Sequence, residues 1–408
     1  MKERREPNED FNQKIKIRIR EEERNLFKDE AVRRYRMERR TRTVITLSIV
    51  LGLIFLGAVL LPAIPVSRGI TPAEYIQLFT RKIADLGRFA AGGTAKNAID
   101  FSIYRLLIVG CVGAALALSG AVYQGSFKNA LASPSTLGVQ SGGSLGGCLY
   151  VFFFMSAAGT EAISYEEYAE MVDSMSVLQR YGKNFAILAG CFLGVVLIVS
   201  ISKAAGKGKV STLALILSGS VFSSIIGGAV SLIQYYMILV NPYDPRTETL
   251  RYMMMGTFDN AFTLETMLMV CLPILIGIAV IMSLRTKLNL LVFGEDEARS
   301  LGIQVDRIRN TMVAVVTILT AITISYCGQI GFVGFIVPHM ARFLVGPDFR
   351  YLIPASCLLG AASMLVVYQS ALILECSTNI NLMTSLVGGV LFLCILVKYR
   401  RNSNADWA

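Results

Sequence analysis

The chain has 408 residues, of which 54% are hydrophobic and only 17% charged, and its mean hydropathy is +0.55. That is more apolar surface than a water-soluble core of this length needs, which excludes a soluble globular enzyme and points to an integral membrane protein. The net charge of +10 sits in tails and loops and not on a folded face, which argues against nucleic acid as a partner.

Residues 1–42 form a charged tail in which acids and bases alternate from Lys14 onward. Two readings exist, a solvated topogenic tail and a juxtamembrane helix held on anionic lipid, and the interleaved acids favour the first. The first apolar run starts near Thr43 with no small-residue cleavage pattern behind it, so the first span itself is expected to direct insertion. A hydrocarbon core of about 30 Å takes about 20 apolar residues per helix. Candidate spans follow at 44–64, 103–124, 138–157, 184–203, 212–239, 262–284, 308–329, 331–346, 351–373 and 383–399. The expected fold is therefore all-α and polytopic, with about ten transmembrane helices in a domain at 43–401, between tails at 1–42 and 402–408. Basic clusters precede the first span (Arg33, Arg34, Arg36, Arg39, Arg40, Arg42), fill one loop (Lys203, Lys207, Lys209) and follow the last span (Lys398, Arg400, Arg401). Under the positive-inside rule both termini are cytoplasmic, and the acidic stretch around Glu161, Glu166, Glu167, Glu170 and Asp173 lies outside.

Between the first two spans, Thr71 and Pro72 read as an N-cap and first helical residue, opening an outer helix through about Arg88. The run at 212–239 is long for a straight span, and the polar NPYDPRTETLRY after it predicts a turn and a re-entrant or interfacial helix. The eighth span is short and carries Gly331, Gly334 and Pro338. Such breaks are tolerated at membrane depth only where protein or a water-filled cavity satisfies the freed backbone groups, so this span should face the bundle. Gly142 and Gly146 form a GxxxG, read as close helix packing.

Ionisable side chains are almost absent from the spans, since Asp100, Arg105, His339, Arg342 and Glu375 fall at or near predicted ends. Ion-coupled carriers keep acids or broken-helix ion sites near the midplane, so their energy input is readable in the sequence. There is no GxxxxGK[ST], and AGKGKVST lacks the spacing to wrap phosphates, so ATP would be bound by another chain. His339, the one histidine, has no ligand partners at metal spacing and reads as a helix-end side chain with a satisfied hydrogen bond. Met253, Met254 and Met255 read as packing in preference to a soft copper strip, and the eight cysteines, with no CxxC, as small apolar residues. No catalytic residue, cofactor or metal site is expected in this chain. One segment, at 285–310, looks soluble. Glu295 to Leu301 forms a helical turn, Gly302 suits a left-handed cap, and a second helix starts at Gln304, making a cytoplasmic knob whose apolar side calls for a partner protein.

Three blocks then carry a resemblance: YQGSFKNALASPSTLGVQSGG at 123–143, the knob with Leu291, Gly294, Ala298, Leu301 and Gly302, and GQIGFVGFIVPHMARFLVGPDFRYLIPAS at 328–356. In this order and spacing they resemble the permease family of type II ABC importers, which take up ferric siderophores, haem and cobalamin; the similarity runs from about residue 44 to 401. The resemblance implies a permease dimer, homo- or heterodimeric, over two ATPase subunits that bind ATP and Mg, fed by an extracytoplasmic substrate-binding protein, in a bacterial cytoplasmic membrane. It places Gly294, Glu295, Ala298, Arg299, Leu301 and Gly302 in ATPase coupling. It puts Ser211 and Thr212 at the inner gate, and turns the fifth, eighth and tenth spans, with Gly331, Gly334 and Pro338, toward the pathway. The rival reading is an ion-coupled secondary carrier or channel. Departures concentrate on the outer face, where the family's RxPR is reduced to Arg105 and its ELPxG is replaced by STNIN at 377–381. These put the family's usual docking of the binding protein in question.

Overall fold

A computed structural model describes residues 37–55, 57, 94–155, 177–206, 212–241, 244–258, 264–293, 304–374 and 376–401. Each of the ten expected apolar runs contains a helix. We number them in chain order: α1 over 37–55, α2 Thr94–Ser126, α3 Val139–Phe154, α4 Val177–Ala205 and α5 Thr212–Val240. Then follow α6 Pro245–Met255, α7 Leu264–Phe293, α8 Val305–Cys327, α9 Val333–Val345, α10 Phe349–Ile373 and, after a 3-10 turn at Ser377–Asn379, α11 Ile380–Arg401. Among the described residues there is no strand, and six helices (α2, α4, α5, α7, α8 and α10) are long and apolar enough to cross a membrane. The outer helix expected from Thr71, the acidic stretch near Glu161 and residues 294–303 of the knob lie outside the described residues, whereas 285–293 continue α7 and Gln304 is the N-cap of α8, where the second helix of the knob was expected to start.

α2 is the central post. It is lined almost throughout by buried Ile, Val, Leu and Ala, and it packs against α7, α8, α9 and α10. Between apolar helices in a bilayer there is no hydrophobic gain from contact, so close approach has to come from small residues and polar bonds. Both devices occur here. Gly113 of α2 and Gly360 of α10 face one another so closely that a Cβ on either would meet the other's carbonyl. The predicted GxxxG works in the same way, as Gly142 and Gly146 of α3 lie on Gly190 and Ala186 of α4. The polar bonds join α2 to α8: Tyr123 Oη and Thr317 Oγ1 are 2.8 Å apart, and Thr320 Oγ1 donates to Ser119 Oγ at 3.4 Å, all fully buried.

α6 is the short helix expected after the long fifth span. Pro245 occupies its first position, Asp244 caps it by accepting from the Arg246 backbone N–H at 2.9 Å, and Gly256 ends it at φ 66°. Asp244 also takes the Arg246 guanidinium at 2.7 Å. These bonds hold its carboxyl below the ordinary carboxylate value, against the upward push of burial.

The two ends of the bundle are distinguished by what they bring together. At one, Gly125, Ser126, Leu288, Asn289, Arg309, Asp348, Phe349 and Arg40 form a continuous set of contacts. At the other, Thr257 N–H donates to Cys327 O, Gln329 N–H to Met253 O and Ile380 N–H to Gly256 O.

Arg105 lies near the start of the apolar span, which begins at Ile103 as expected, although α2 itself starts earlier, at Thr94. It is buried, and its guanidinium donates to Tyr368 Oη at 3.3 Å.

Candidate translocation path

α8 ends at Cys327, and α9 begins only at Val333, so Gln329, Ile330 and Gly331 between them lie outside both helical ladders. Every unpaired backbone group in such a stretch needs a partner. Two side chains provide them: Gln140 Nε2 donates to Ile330 O at 2.7 Å, and Asn381 Oδ1 accepts from Gly331 N–H at 2.9 Å. The expectation that protein would satisfy this break is met by α3 and α11 together. Asn381 belongs to the STNIN stretch that departs from the family pattern, so one substituted residue there has a structural task.

The turn into α9 is tight. Phe332 sits at φ 63° and ψ −34°, and Val333 N–H reaches back over it to Gly331 O at 2.7 Å. A left-handed φ at a bulky residue costs about 1–3 kcal/mol and persists only where surroundings impose it. Those surroundings include α11, where Gly388 leaves room for the Phe332 side chain.

α9 itself has two faces. Val333, Gly334, Val337, Pro338, His339, Ala341 and Val345 are buried, whereas Met340, Phe343 and Leu344 are exposed. Pro338 has no N–H, so the Gly334 carbonyl one turn earlier lacks its usual helical partner. That carbonyl points at Gly120 of α2, and on its far side Gly334 touches Pro134. Near the end of α9, Gln124 of α2 joins three groups. Its Nε2 donates to Phe335 O at 3.2 Å, its Oε1 accepts from Arg342 Nη2 at 2.9 Å, and its Nε2 lies 3.4 Å from His339 Nδ1. His339 Nδ1 is also 2.9 Å from Phe335 O, so the ring is bonded as expected, but the residue lies in the middle of α9 and not at a helix end.

The 127–138 turn supports two helices at once. Pro134 packs on α9, while Thr136 O lies on Gly219 of α5 and Ser135 O accepts from Ser223 Oγ at 3.4 Å. Ser223 in turn receives a 2.7 Å bond from Ser141 of α3. Beyond this contact α5 leaves a long side uncovered, with Leu217, Val221, Ile225, Leu232 and Tyr235 at least half exposed. Ser220, Ser224 and Ser231 share that exposed side, and the first two are bonded to their own helix backbone at 2.9 and 3.0 Å. On α11, Leu382, Leu386 and Val390 are exposed in the same manner.

Of the expected pathway residues, Gly331, Gly334 and Pro338 are brought together at the start of α9. Thr212 opens α5. Ser211 and the coupling residues Gly294, Glu295, Ala298, Arg299, Leu301 and Gly302 lie outside the described residues. The sequence reading missed Gln124, Gln140, Asn289, Asp348 and Asn381. A signal existed for the first two, since each is a lone amide in an apolar run, where an unbonded side chain would be costly.

Among the described residues, apolar helices with uncharged exposed faces and a short helix entered through a backbone turn form a bundle suited to a membrane permease. A model of the FecCD transport family matches residues 54–398, and the chain belongs to that family, whose members are permeases of ABC importers. It is 33% identical over 298 residues, 73% of this chain and 80% of the relative, to the molybdate import permease MolB of Haemophilus influenzae. Similarity to the cobalamin import permease BtuC of Halobacterium salinarum is 32% over 294 residues, covering 72% of this chain and 71% of that one. The hemin transport permease HmuU of Yersinia pestis is 29% identical over 306 residues, 74% of this chain and 83% of its own. Among solved structures, an inward-facing metal-chelate type ABC transporter superposes with a TM-score of 0.64 at 27% identity, covering 88% of this chain and 99% of that one.

Proposed function

We propose that this permease carries a metal chelate, of the haem, siderophore or cobalamin class, through a path between two permease subunits. The observation that carries the reading is the pairing of uncharged exposed faces on α5 and α11 with the short α9 and its strained entry. A lone subunit leaves these faces uncovered; a second permease copy would cover them and enclose a path. The basic clusters support taking the end of the bundle that holds Arg40, Arg309 and Asn289 as the cytoplasmic one, with both termini on that side. ATP and Mg are bound by separate ATPase subunits, docked on the segment with Gly294, Glu295, Ala298, Arg299, Leu301 and Gly302. Ser211 and Thr212 stand at the inner gate. An extracytoplasmic binding protein delivers cargo to the opposite end, where Arg105 is buried on Tyr368 and not offered for docking.

The test is uptake into proteoliposomes holding the chain, its second permease subunit and the ATPase. A ferric hydroxamate, hemin, cyanocobalamin and molybdate are each supplied with and without internal ATP, and with an ionophore present. ATP-dependent, ionophore-insensitive uptake of a chelate is expected. Uptake that is equal without ATP would refute the importer reading, and molybdate as the sole substrate would refute the chelate assignment.

A further inference from the structure

Among the described residues at the proposed cytoplasmic end, Asp348 is the most heavily engaged acid. Its Oδ1 accepts from Arg350 N–H at 3.0 Å, capping α10, and from Asn289 Nδ2 at 2.8 Å. Asn289 returns a bond, its Oδ1 accepting from Phe349 N–H at 2.9 Å, so the last turns of α7 and the first turn of α10 are joined by two reciprocal bonds. Asp348 Oδ2 faces Arg40 of α1 at 3.7 Å, and the Arg40 guanidinium also lies 5.9 Å from the Tyr351 ring centroid and against Gly346. Gly346, at φ 81°, terminates α9. Three chain segments therefore converge on one carboxylate: the N-terminal helix, the end of α7 and the corner by which α9 turns into α10. Neither ionic partner is more than a third exposed, with side-chain exposures of 29% and 28%, so the pair is partly shielded from solvent.

The family match begins at residue 54, which leaves Arg40 outside it. We propose that the charged N-terminal segment is a brace on the coupling region, in which Arg40 holds Asp348 and, through Asn289, fixes the end of α7 to the α9–α10 corner. Asn289 is five residues before Gly294, the first of the proposed coupling residues. Motion delivered there by an ATPase would reach α9 through the Asn289–Asp348 pair instead of being absorbed by a loose helix end. This consequence rests on the importer reading; the brace itself does not.

Two readouts on the full chain keep these apart. In lipid nanodiscs, hydrogen exchange over 286–293 and 344–352 is compared between the parent, Arg40→Gln, Arg40→Lys and Asn289→Ala. Arg40→Gln should speed exchange in both segments by about two- to fivefold, the weight of one partly exposed ion pair, and Arg40→Lys should largely restore it. In the proteoliposome assay with hemin and cyanocobalamin, Arg40→Gln and Asn289→Ala should lower uptake per ATP hydrolysed while leaving the amount of assembled complex unchanged. Unaltered exchange in Arg40→Gln overturns the brace, and faster exchange with an unaltered uptake-to-hydrolysis ratio overturns its role in coupling. If the parent complex shows no ATP-dependent uptake, the importer reading fails, and the exchange comparison still decides whether Arg40 braces Asp348.

Discussion

The Gly334 carbonyl, deprived of a helical partner by Pro338, is covered by Gly120 of α2, the one residue type that can come so near to it. A side chain at 120 would occupy the position of that oxygen. We expect Gly120→Ala to lower the thermal unfolding midpoint in detergent, by an overpacking cost of about 1–3 kcal/mol. Gly110 of the same helix has nothing within 4 Å of where its Cβ would lie, so Gly110→Ala should be neutral or stabilising by up to about 1 kcal/mol. A similar loss in both variants would show that helix propensity, and not this contact, governs α2.

Removal of the Asn381 side chain should leave the part-buried Gly331 N–H without this partner. Asn381→Ala is expected to cost about 1 kcal/mol, the net weight of one hydrogen bond. Gln140→Leu, which removes the donor to Ile330 O, should cost a comparable amount. Combining the two tests whether the 330–331 backbone acts as a unit. Strict additivity in unfolding measurements would mean that each bond holds the turn independently.

The Asp244 cap predicts an acid-side effect outside the membrane. Its carboxyl titrates below the unfolded value of about 4, so the native state favours the ionised form. The stability this contributes is complete above the unfolded value and is lost as pH falls through the lower folded value. The difference in unfolding midpoint between the parent and Asp244→Asn should thus be constant from neutral pH to about pH 5 and shrink below it. A difference that stayed constant to pH 3 would assign the effect to shape and not to charge.

Lys128 is exposed and holds φ 48°, a left-handed conformation in which a Cβ is a burden. Lys128→Gly should stabilise the 127–138 turn by about 1 kcal/mol. A decrease in stability would indicate that the lysine makes a favourable contact that outweighs the strain.

The helices were legible because a bilayer demands long apolar runs, and the run positions survive in the sequence whatever the tertiary arrangement. Gly331, Gly334 and Pro338 were legible for a related reason: glycine and proline mark backbone irregularity locally. The start of α2 was not, since residues 94–102 mix polar and apolar types and lie before the apolar run that marked the span. The partners of the breaks were hidden as well. Gln140 and Ile330 are 190 positions apart, and Asn289 and Asp348 59 apart, so only the fold discloses that each amide is spoken for. The absence of a resemblance at Asn381 drew attention to docking, whereas its bond is to the backbone of α9's entry.

At the end of the bundle away from Arg40, the four residues from Met253 to Gly256 answer to three different neighbours, as Met253 O receives Gln329, Gly256 O receives Ile380, and Gly256 N–H closes α6 on Tyr252. Insertion or deletion of even one residue there would shift the register of all three at once. Across related permeases, length changes should accordingly be purged between Tyr252 and Thr257, and an engineered tag would not be tolerated there.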